Sequence, residues 1–225
     1  MRLLSVCIVS GIALISQPLL AAPGTGNNSY AAFDAGPSVF NGQSAQDILT
    51  LTGAGNTGTP SASSFTNSTA YRLTGGYQLD PNWGIEVSYV DLGESDYSIS
   101  QSLSSNDTGG TRAWGWGFSG VGTLPLNDHW SLFARFGATD ARVTLFRNID
   151  TSIGTVAAGN ASTEWRAMFG AGIGWSVADD WTIRLGWDQY HALGSSNHTG
   201  EVTANMISVG IVYSFPLTYG LNGAD

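Results

Sequence analysis

The sequence predicts an all-β fold, an eight-stranded antiparallel up-and-down β-barrel that spans a membrane. Three observations lead to this prediction. Apolar and polar residues alternate with a period of two through most of the chain, which places them on opposite faces of strands. The links between these strands are alternately short and long, and aromatic residues mark both ends of the apolar faces. The last two features are typical of barrels in the bacterial outer membrane.

The alternation is clearest in residues 163–190. One face of the first strand in this segment carries Trp165, Ala167, Phe169, Ala171, Ile173, Trp175 and Val177, and the other carries Glu164, Arg166, Met168, Gly170, Gly172, Gly174 and Ser176. The pattern restarts after a short polar turn at 178–180, which predicts a β-hairpin. In a soluble sandwich, the alternative fold, the apolar face would be a core. Trp165 and Trp175 lie near the two ends of their strand, which favours a wall that faces lipid.

The first 21 residues have the features of a secretory signal peptide, and we expect cleavage after Ala21. Arg2 precedes an apolar run at 3–15, and small residues follow it. The run is short for a transmembrane anchor. Cys7 lies within this segment and is the only cysteine of the chain, so we expect no disulfide or thiol chemistry in the mature protein.

The length and composition allow one large domain. We expect the barrel at 28–215 and a short periplasmic tail at 216–225. The formal charge is −9 and the chain has no lysine, and an acidic exported chain is not expected to bind nucleic acid. After the signal peptide, no apolar segment is long enough for a membrane-spanning helix. The mean hydropathy of +0.02 is compatible with a membrane barrel, because alternation conceals its apolar face.

Other segments repeat the pattern of the hairpin at 163–190. They are 71–79 and 83–89 around a turn at 80–82, 114–126 and 130–137 around a turn at 127–129, and a final strand at 206–215. The first strand, at 30–39, has the weakest alternation. Its expected parity turns Ala31, Phe33 and Ala35 outward. Asp34 then faces inward, which is favourable because an Asp that faces lipid is costly.

The links alternate in length, and this is the strongest indication of topology. The tight links are 80–82, 127–129 and 178–180, and the long links, rich in Ser, Thr, Gly and Asn, are 41–68, 93–110, 142–162 and 191–203. Short periplasmic turns and long outer loops are the pattern of outer-membrane barrels. We therefore expect four long loops outside the cell and both chain ends in the periplasm.

Four charged residues face the inside of the predicted barrel by parity: Asp34, Glu86, Arg135 and Arg184. A buried charge without a partner is costly, so we expect Glu86 to pair with Arg184, Arg135 or both. Asp34 then supplies a second carboxylate. The cluster either fills a narrow lumen as a structural unit, which is the favoured interpretation, or forms a gate or selectivity constriction.

Several of these segments together resemble the OmpA-like transmembrane barrel family. The resemblance spans about 30–215 and rests on the order and spacing of YRLTGGYQLDPNWGIEVSYVDLG at 71–93, LPLNDHWSLFARFG at 124–137, WTIRLGWDQY at 181–190 and ISVGIVYSF at 207–215. It implies a narrow barrel whose interior is packed with charged pairs and water. The family's inward Glu on the third strand corresponds to Glu86, and its inward Arg residues on the fifth and seventh strands correspond to Arg135 and Arg184.

The sequence also departs from the pattern of this family. Val121 occupies the family's inward Lys position on the fourth strand, and Gly174 and Gly186 occupy inward Glu positions on the sixth and seventh. Asp34 stands where the family often has Lys. The resemblance therefore implies a differently paired interior. Without the family's peptidoglycan-binding domain, no anchoring to the cell wall is expected of this chain.

Catalytic alternatives rest on histidine and serine. The His-Trp-Ser segment at 129–131 resembles the His-x-Ser spacing of outer-membrane lipid A deacylases, but we expect it at a periplasmic turn, away from outer-leaflet lipid. In a predicted outer loop, His191 and His198 lie near Ser195 and Ser196. A nucleophile needs a base within hydrogen-bond reach, and clustering in a loop does not demonstrate that contact.

The sequence therefore predicts a monomeric protein of the cell outer membrane with a structural or surface-interaction role and no catalysis. It contains no metal-ligand spacing and predicts no cofactor. The alternative function is a narrow pore for small solutes, and a lipid-modifying enzyme is a weaker third. The expected partners are outer-membrane lipids, the barrel assembly machinery and an extracellular ligand of the loops.

Overall fold

The computed structural model describes residues 29–41, 60–65, 67–101, 106–151, 154–195 and 201–216. Its strands are β1 Ser29–Asn41, β2 Pro60–Phe65, β3 Ser68–Gln78, β4 Trp83–Gln101, β5 Asn106–Pro125, β6 Trp130–Thr151, β7 Gly154–Ala178, β8 Trp181–Leu193 and β9 Val202–Phe215. Among the described residues, no helix has the length and apolar character needed to cross a membrane. The signal peptide at 1–21 and the tail beyond residue 216 lie outside the described ranges and stay predictions.

The strands close into a barrel of eight wall strands. Neighbours pair antiparallel in the order β2-β4-β3-β1-β9-β8-β7-β6-β5, and the pairing of β5 with β4 closes the ring. β2 and β3 both pair with β4, and the register of Phe65 on Tyr97 continues that of Tyr71 on Asp91 without a shift. β2 and β3 are therefore successive parts of one wall strand. The predicted eight-stranded antiparallel barrel is confirmed.

The outward faces carry large apolar residues, and the inward faces carry small, polar or charged residues. On β1, Phe33 is 48% exposed whereas Asp34 is 1% exposed, so the parity predicted for the weakest strand is confirmed. Leu185 on β8 and Val209 on β9 face outward in the same way. A closed wall satisfies its backbone hydrogen bonds between strands, which permits it to lie in lipid.

Aromatic side chains form two rings around the outside of the barrel. The lower ring, on the side of the tight turns, contains Trp83, Trp130, Trp175, Trp181 and Tyr213, and the upper ring contains Tyr71, Tyr89, Trp114, Trp116 and Trp165. In the lower ring Trp130 stacks on Trp175 with centroids 6.0 Å apart. In the upper ring Tyr89 and Trp116 are 5.3 Å apart. Trp165 and Trp175 bound the part of β7 that lies between the rings, and its length matches the roughly 9–11 residues of one tilted crossing.

Side-chain contacts close two of the three tight links. Asp80 Oδ1 accepts hydrogen bonds from the backbone N–H groups of Asn82 and Trp83, both at 2.8 Å. Asn127 Oδ1 accepts the equivalent pair of bonds at 2.9 Å in the second link. Such bonds from an Asp or Asn to its own turn favour a tight connection. The third tight link is also a turn, at 179–180.

Two predicted long loops are wrong in extent. β4 reaches Gln101 and β5 starts at Asn106, so every described residue of the link at 93–110 is in a strand. The same is true of the described residues in the link at 142–162, which belong to β6 and β7. Above the upper ring polar residues occur on both faces of these strands. The alternation that marks a strand in the sequence is lost there, although the backbone ladder continues.

The other two predicted long links contain fewer described strand residues than the links at 93–110 and 142–162. The link at 41–68 contains β2, and its residues 42–59 lie outside the described ranges. The link at 191–203 begins inside β8, which ends at Leu193.

The long strands rise beyond the upper ring as a projecting sheet. We use this name for 60–65, 94–101, 106–112, 142–151 and 154–163. β6 has 22 residues and β7 has 25, about twice the length that one membrane crossing requires. The ladder between β6 and β7 continues to the pair Thr151 and Gly154, so the sheet is paired up to its tip.

Candidate functional site: charged side chains inside the barrel

Six charged side chains meet inside the barrel, and we call them the charge layer. They are Asp34 on β1, Arg72 on β3, Glu86 on β4, Arg135 on β6, and Arg184 and Asp188 on β8. Each is at most 6% exposed. Three carboxylates and three guanidinium groups balance in charge. This balance is important because a buried ion without a partner retains a large desolvation cost.

Asp34 binds two arginines at the centre of the charge layer. Arg184 donates from Nε to Asp34 Oδ1 at 2.6 Å and from Nη2 to Asp34 Oδ2. Arg72 donates from Nε and Nη2 to Asp34 Oδ2 at 3.2 and 3.0 Å. Paired hydrogen bonds between guanidinium and carboxylate are strong and fix the orientation of both groups. Asp34 is thus the central anion, a larger role than the balancing charge that parity predicted.

Glu86 lies nearer the lower ring and makes longer contacts. Its Oε1 accepts the hydroxyl proton of Tyr30 at 3.0 Å and lies 3.5 Å from Arg184 Nη1. Its Oε2 lies 3.7 Å from Arg135 Nε and accepts a hydrogen bond from Ser119 Oγ at 3.5 Å. The structure therefore brings Glu86 together with both arginines that the sequence offered as its partners.

Two members of the charge layer, Arg72 and Asp188, were missed by the sequence analysis. Arg72 Nη1 lies 2.7 Å from Asp188 Oδ2, and Arg135 Nη1 lies 3.4 Å from Asp188 Oδ1. Parity does indicate both positions, since Arg72 shares a face with Thr74 and Asp188 shares one with Arg184. Parity does not give the height of a residue in a barrel of tilted strands. The sequence therefore does not show that these two side chains meet.

Two glycines leave the space that the carboxylates occupy. A Cβ atom at Gly210 would lie 2.0 Å from Asp34 Oδ1, and a Cβ atom at Gly170 would lie 2.1 Å from Asp188 Oδ1. The register explains the proximity, because Gly210 is opposite Asp34 and Gly170 is opposite Asp188 in the neighbouring strand. The missing side chains allow both carboxylates to lie across the inner wall.

An outer apolar cluster fills the barrel above the charge layer. It comprises Ala70, Val90, Leu92, Ala113, Ala141, Val143, Met168, Tyr190, Leu193, Val202, Ala204 and Met206, with Phe40 packed against them. Val143, Leu193 and Met206 have no exposed surface. Closely packed apolar side chains exclude water. The cluster therefore separates the charge layer from the side of the projecting sheet.

A vestibule of about 420 Å³ opens below the charge layer. Glu86 and Arg184 line its inner end, and His129 lies among the turn residues at its mouth. Arg135 lies over the ring of Phe133, another lining residue, 4.9 Å from the centroid in a cation–π contact. The lumen is thus open toward the lower ring and closed above the charge layer.

Further ion pairs lie at the level of the upper ring. Arg112 Nη2 donates to Asp91 Oδ2 at 2.9 Å, and the same oxygen accepts the hydroxyl of Tyr71 at 3.1 Å. Elsewhere on the rim, Arg166 Nη2 donates to Glu164 Oε2 at 2.6 Å. These pairs are more exposed than the charge layer, so water screens them and their contribution to stability is smaller.

The histidines singled out in the sequence lie apart from the charge layer. His129 is exposed in its turn, and within the described residues no hydrogen bond joins its side chain to that of Ser131. His191 is exposed on β8, and His198 lies outside the described ranges. In the part of the chain that the structure describes, no three His, Cys, Asp or Glu side chains are grouped to hold a metal ion.

A closed wall with an apolar outside, two aromatic rings and a charge-balanced inside defines an outer-membrane β-barrel protein. The chain belongs to the OmpA-like transmembrane domain family, whose family model matches residues 25–218. Outer membrane protein A of Klebsiella pneumoniae is 28% identical over 142 residues, which are 63% of this chain and 39% of that protein. The chain thus spans less than half the length of this relative. The resemblance seen in the sequence and the location in the outer membrane are confirmed.

Two solved structures share the fold. The outer membrane protein OprG from Pseudomonas aeruginosa has a TM-score of 0.51 and 11% identity, over 87% of this chain and all of OprG. The outer membrane protease OmpT from Escherichia coli has a TM-score of 0.50 and 9% identity, over 87% of this chain and 99% of OmpT. At this identity the likeness shows the fold alone. Since one of the two is a protease, the fold does not decide whether a barrel is an enzyme.

Proposed function

We propose that this protein is a non-conducting barrel that presents its projecting sheet at the cell surface to an extracellular partner. The observation that carries the proposal is the filled lumen. The charge layer and the outer apolar cluster lie one above the other inside it, and their side chains are almost fully buried. Ion conduction needs a wetted route through the pore. A packed apolar layer in series with paired charges leaves the barrel without such a route.

The projecting sheet supports a role at the surface. β6 and β7 continue well beyond the upper ring, and membrane insertion does not require that length. Binding residues often lie on segments held out by a rigid scaffold. The barrel is such a scaffold, because ion pairs between its wall strands fix its shape from within. On this proposal the barrel anchors the sheet and performs no catalysis.

The rest of the chain fits the same proposal. Residues 1–21 act as a signal peptide, residues 28–215 form the mature barrel, and 216–225 is a periplasmic tail. The barrel assembly machinery inserts the chain, which then works as a monomer. A lipid-modifying activity is not included, because His129 lies at the mouth of the vestibule, at the opposite end from the projecting sheet.

Single-channel recording in planar bilayers tests the closed lumen. We expect no openings above the baseline for the wild-type protein. Glu86→Ala should also stay closed, because the outer apolar cluster remains intact above it. Glu164→Ala is the matched control, since Glu164 is an acid of the exposed rim. Ohmic openings of the wild type that grow in Glu86→Ala but not in Glu164→Ala would replace this proposal with a gated pore.

The second candidate function is a narrow pore for small solutes, and the vestibule favours it. The vestibule already leads inward from the tight turns to Glu86 and Arg184. On this candidate the charge layer is the constriction, and the outer apolar cluster must open as well. Swelling of proteoliposomes in small sugars or amino acids would then exceed that of empty vesicles.

A further inference from the structure

We propose that the outer wall of the barrel carries a binding site for an amphiphilic cation, an ammonium group joined to an alkyl chain. The site consists of Trp116 on β5, Asp140 on β6 and Trp165 on β7, with the groove below them. It faces the membrane and lies outside both the lumen and the projecting sheet. The inference is therefore independent of the proposed function.

Asp140 lies between two exposed tryptophans on the outside of the barrel. The register places it directly opposite Trp116 on one side and Trp165 on the other. Opposed residues of neighbouring strands have Cβ atoms about 4.5–5.5 Å apart. Its neighbours Thr139 and Ala141 are 1% and 2% exposed and face inward, so Asp140 faces outward. Trp116 and Trp165 are 58% and 63% exposed, which leaves their rings available to a ligand.

The carboxylate of Asp140 has no partner among the described residues, in an ion pair or a hydrogen bond. Arg142 is two residues away on the same face, yet no ion pair joins it to Asp140. Asp91, near the same ring, is instead held by Arg112 and Tyr71. Asp140 is thus an acid at the headgroup level of the membrane that no described cationic side chain contacts.

A groove of about 680 Å³ in the wall is lined by Trp165 and by Ala138, the next outward residue of β6 after Asp140. Ala138 and Ala167 are opposed across β6 and β7 and form its shallow floor, while Phe118 and Phe136 rise beside them. The groove runs from the upper ring toward the middle of the membrane. Small residues alone do not define a site, since lipid covers any apolar wall. The unpaired carboxylate at the upper end gives this groove a preference for a ligand with a cationic headgroup.

The charge of these groups and their order along the wall, with the carboxylate above the groove, favour an ammonium amphiphile. Tryptophan faces attract ammonium groups through cation–π interaction, and the carboxylate adds an ion pair. An anionic amphiphile is repelled by Asp140, and a neutral one gains only the groove. A phospholipid carries its phosphate between the ammonium and the acyl chains, so a chain in the groove would place phosphate beside Asp140. The site therefore fits an ammonium that is bonded directly to its alkyl chain.

The experiment is a titration of the protein, in nanodiscs of neutral lipid, with dodecyltrimethylammonium. NMR follows the indole N–H signals. We expect saturable shifts at Trp116 and Trp165 and none at Trp181 in the lower ring. Asp140→Asn and Trp165→Leu should each weaken the apparent affinity by about two- to fivefold. Asp179→Asn, which changes an exposed acid at the opposite end of the barrel, is the matched control and should leave the affinity unchanged.

Three results would overturn the proposal. Equal affinity for dodecyl maltoside would show that the groove accepts any alkyl chain. Unchanged affinity in Asp140→Asn would remove the carboxylate from the site. Shifts that require added calcium would assign Asp140 to a metal ion instead. If Trp165→Leu does not fold, Asp140→Asn decides alone, because it keeps the size of the side chain.

Discussion

Arg184 on β8 and Asp34 on β1 are joined by two hydrogen bonds inside the barrel, although 150 residues separate them in the chain. β9 lies between these strands in the sheet, so strand pairing does not account for the contact. It spans a chord of the lumen and ties two wall strands together through their side chains. Arg72 on β3 binds the same carboxylate and extends the link to a third wall strand.

We expect Asp34 and Arg184 to be strongly coupled in unfolding. Asp34→Ala leaves two buried arginines without their main partner and should lower the free energy of unfolding by about 3–5 kcal/mol. The double variant with Arg184→Ala should cost less than the two single changes added, by about 1–3 kcal/mol. Chemical denaturation in lipid vesicles, followed by tryptophan fluorescence, measures all three variants.

A second double-mutant cycle, between Glu86 and Arg184, provides a coupling energy to compare with that of Asp34 and Arg184. Glu86 contacts Arg184 only at 3.5 Å, so the coupling between Glu86→Ala and Arg184→Ala should be the smaller of the two. Glu164→Ala removes an acid of the exposed rim and should cost less than about 1 kcal/mol. Strictly additive costs in both cycles would mean that neither Asp34 nor Glu86 is energetically coupled to Arg184.

Gly210→Ala should destabilise the barrel by about 1–3 kcal/mol, the cost of overpacking a filled interior. The new Cβ atom would lie 2.0 Å from Asp34 Oδ1, so the central carboxylate must move away from its arginines. Gly75→Ala is the matched control, because a Cβ atom there meets nothing within 4 Å. Unfolding in vesicles measures both. Equal stability of the two variants would show that Asp34 has room to shift without loss.

The projecting sheet should contain one acid with altered titration. Burial, hydrogen bonding with Asp96 and the negative charge of Asp96 raise the pKa of Glu94, while Arg112 opposes the shift. The folded state then binds this proton more tightly than the unfolded state. The Glu94 carboxyl group therefore stabilises the fold fully when the pH is below its pKa in the unfolded state. This stabilisation is lost as the pH rises through its pKa in the folded state.

NMR titration of the Glu94 carboxyl group checks this expectation. The midpoint should lie above that of a free glutamate and return toward it in Asp96→Asn. Arg112→Gln should move the midpoint further upward, because it removes the opposing cation. An identical midpoint in the wild type and Asp96→Asn would show that Asp96 does not act on Glu94.

The membrane wall was predictable because each of its faces meets a single environment. Phe33 and Asp34 are adjacent in sequence, yet one faces lipid and the other the lumen, so alternation records the geometry directly. The projecting sheet was not predictable in this way. The residues of 142–151 are mixed in polarity on both faces of their strand. Only the backbone register shows that β6 continues there.

The sequence predicts which residues face the interior of the barrel, but not the height at which each one lies. Met168 and Met206 share inward faces with glycine and serine, where single apolar residues carry no signal. In the barrel they meet Tyr190 at one level and form part of the outer apolar cluster. The level of a residue depends on strand tilt and on bulges such as the one between Asp91 and Glu94. Neither is written in the period-two pattern.

The two ends of the barrel should differ in access from outside the cell. An epitope tag inserted after Thr151, at the tip of the projecting sheet, should bind antibody on intact cells. A tag at Asn82, in a tight turn, should bind only after the outer membrane is permeabilised. Few backbone contacts are lost at either site, because Asn82 lies in a turn and Thr151 is in the last strand pair of β6 and β7. Labelling at Asn82 in intact cells would invert the orientation.

The lipid-facing wall should reject charge at its middle. Leu185 is 51% exposed and lies opposite Ile173 and Val209 on the neighbouring strands. Leu185→Arg therefore places a cation within an apolar patch that faces lipid. The cost should be about 2–4 kcal/mol, enough to lower the inserted fraction in vesicles. Leu185→Ala separates loss of apolar area from charge and should cost about 1 kcal/mol or less.

Gly186→Arg, one residue along the chain, should fail differently. Its Cβ atom would face the lumen, 3.4 Å from Phe133 Cζ and 3.6 Å from Ser208 Oγ, so the added side chain crowds the charge layer. It also adds a fourth cation to a layer of three balanced pairs. We expect this variant to insert, because its outer wall is intact, and to unfold at lower denaturant than the wild type. Insertion assays and denaturation together distinguish the failure to insert, expected of Leu185→Arg, from the loss of stability, expected of Gly186→Arg. If the Leu185→Arg barrel inserts and resists denaturant like the wild type, the outward assignment of this face is wrong.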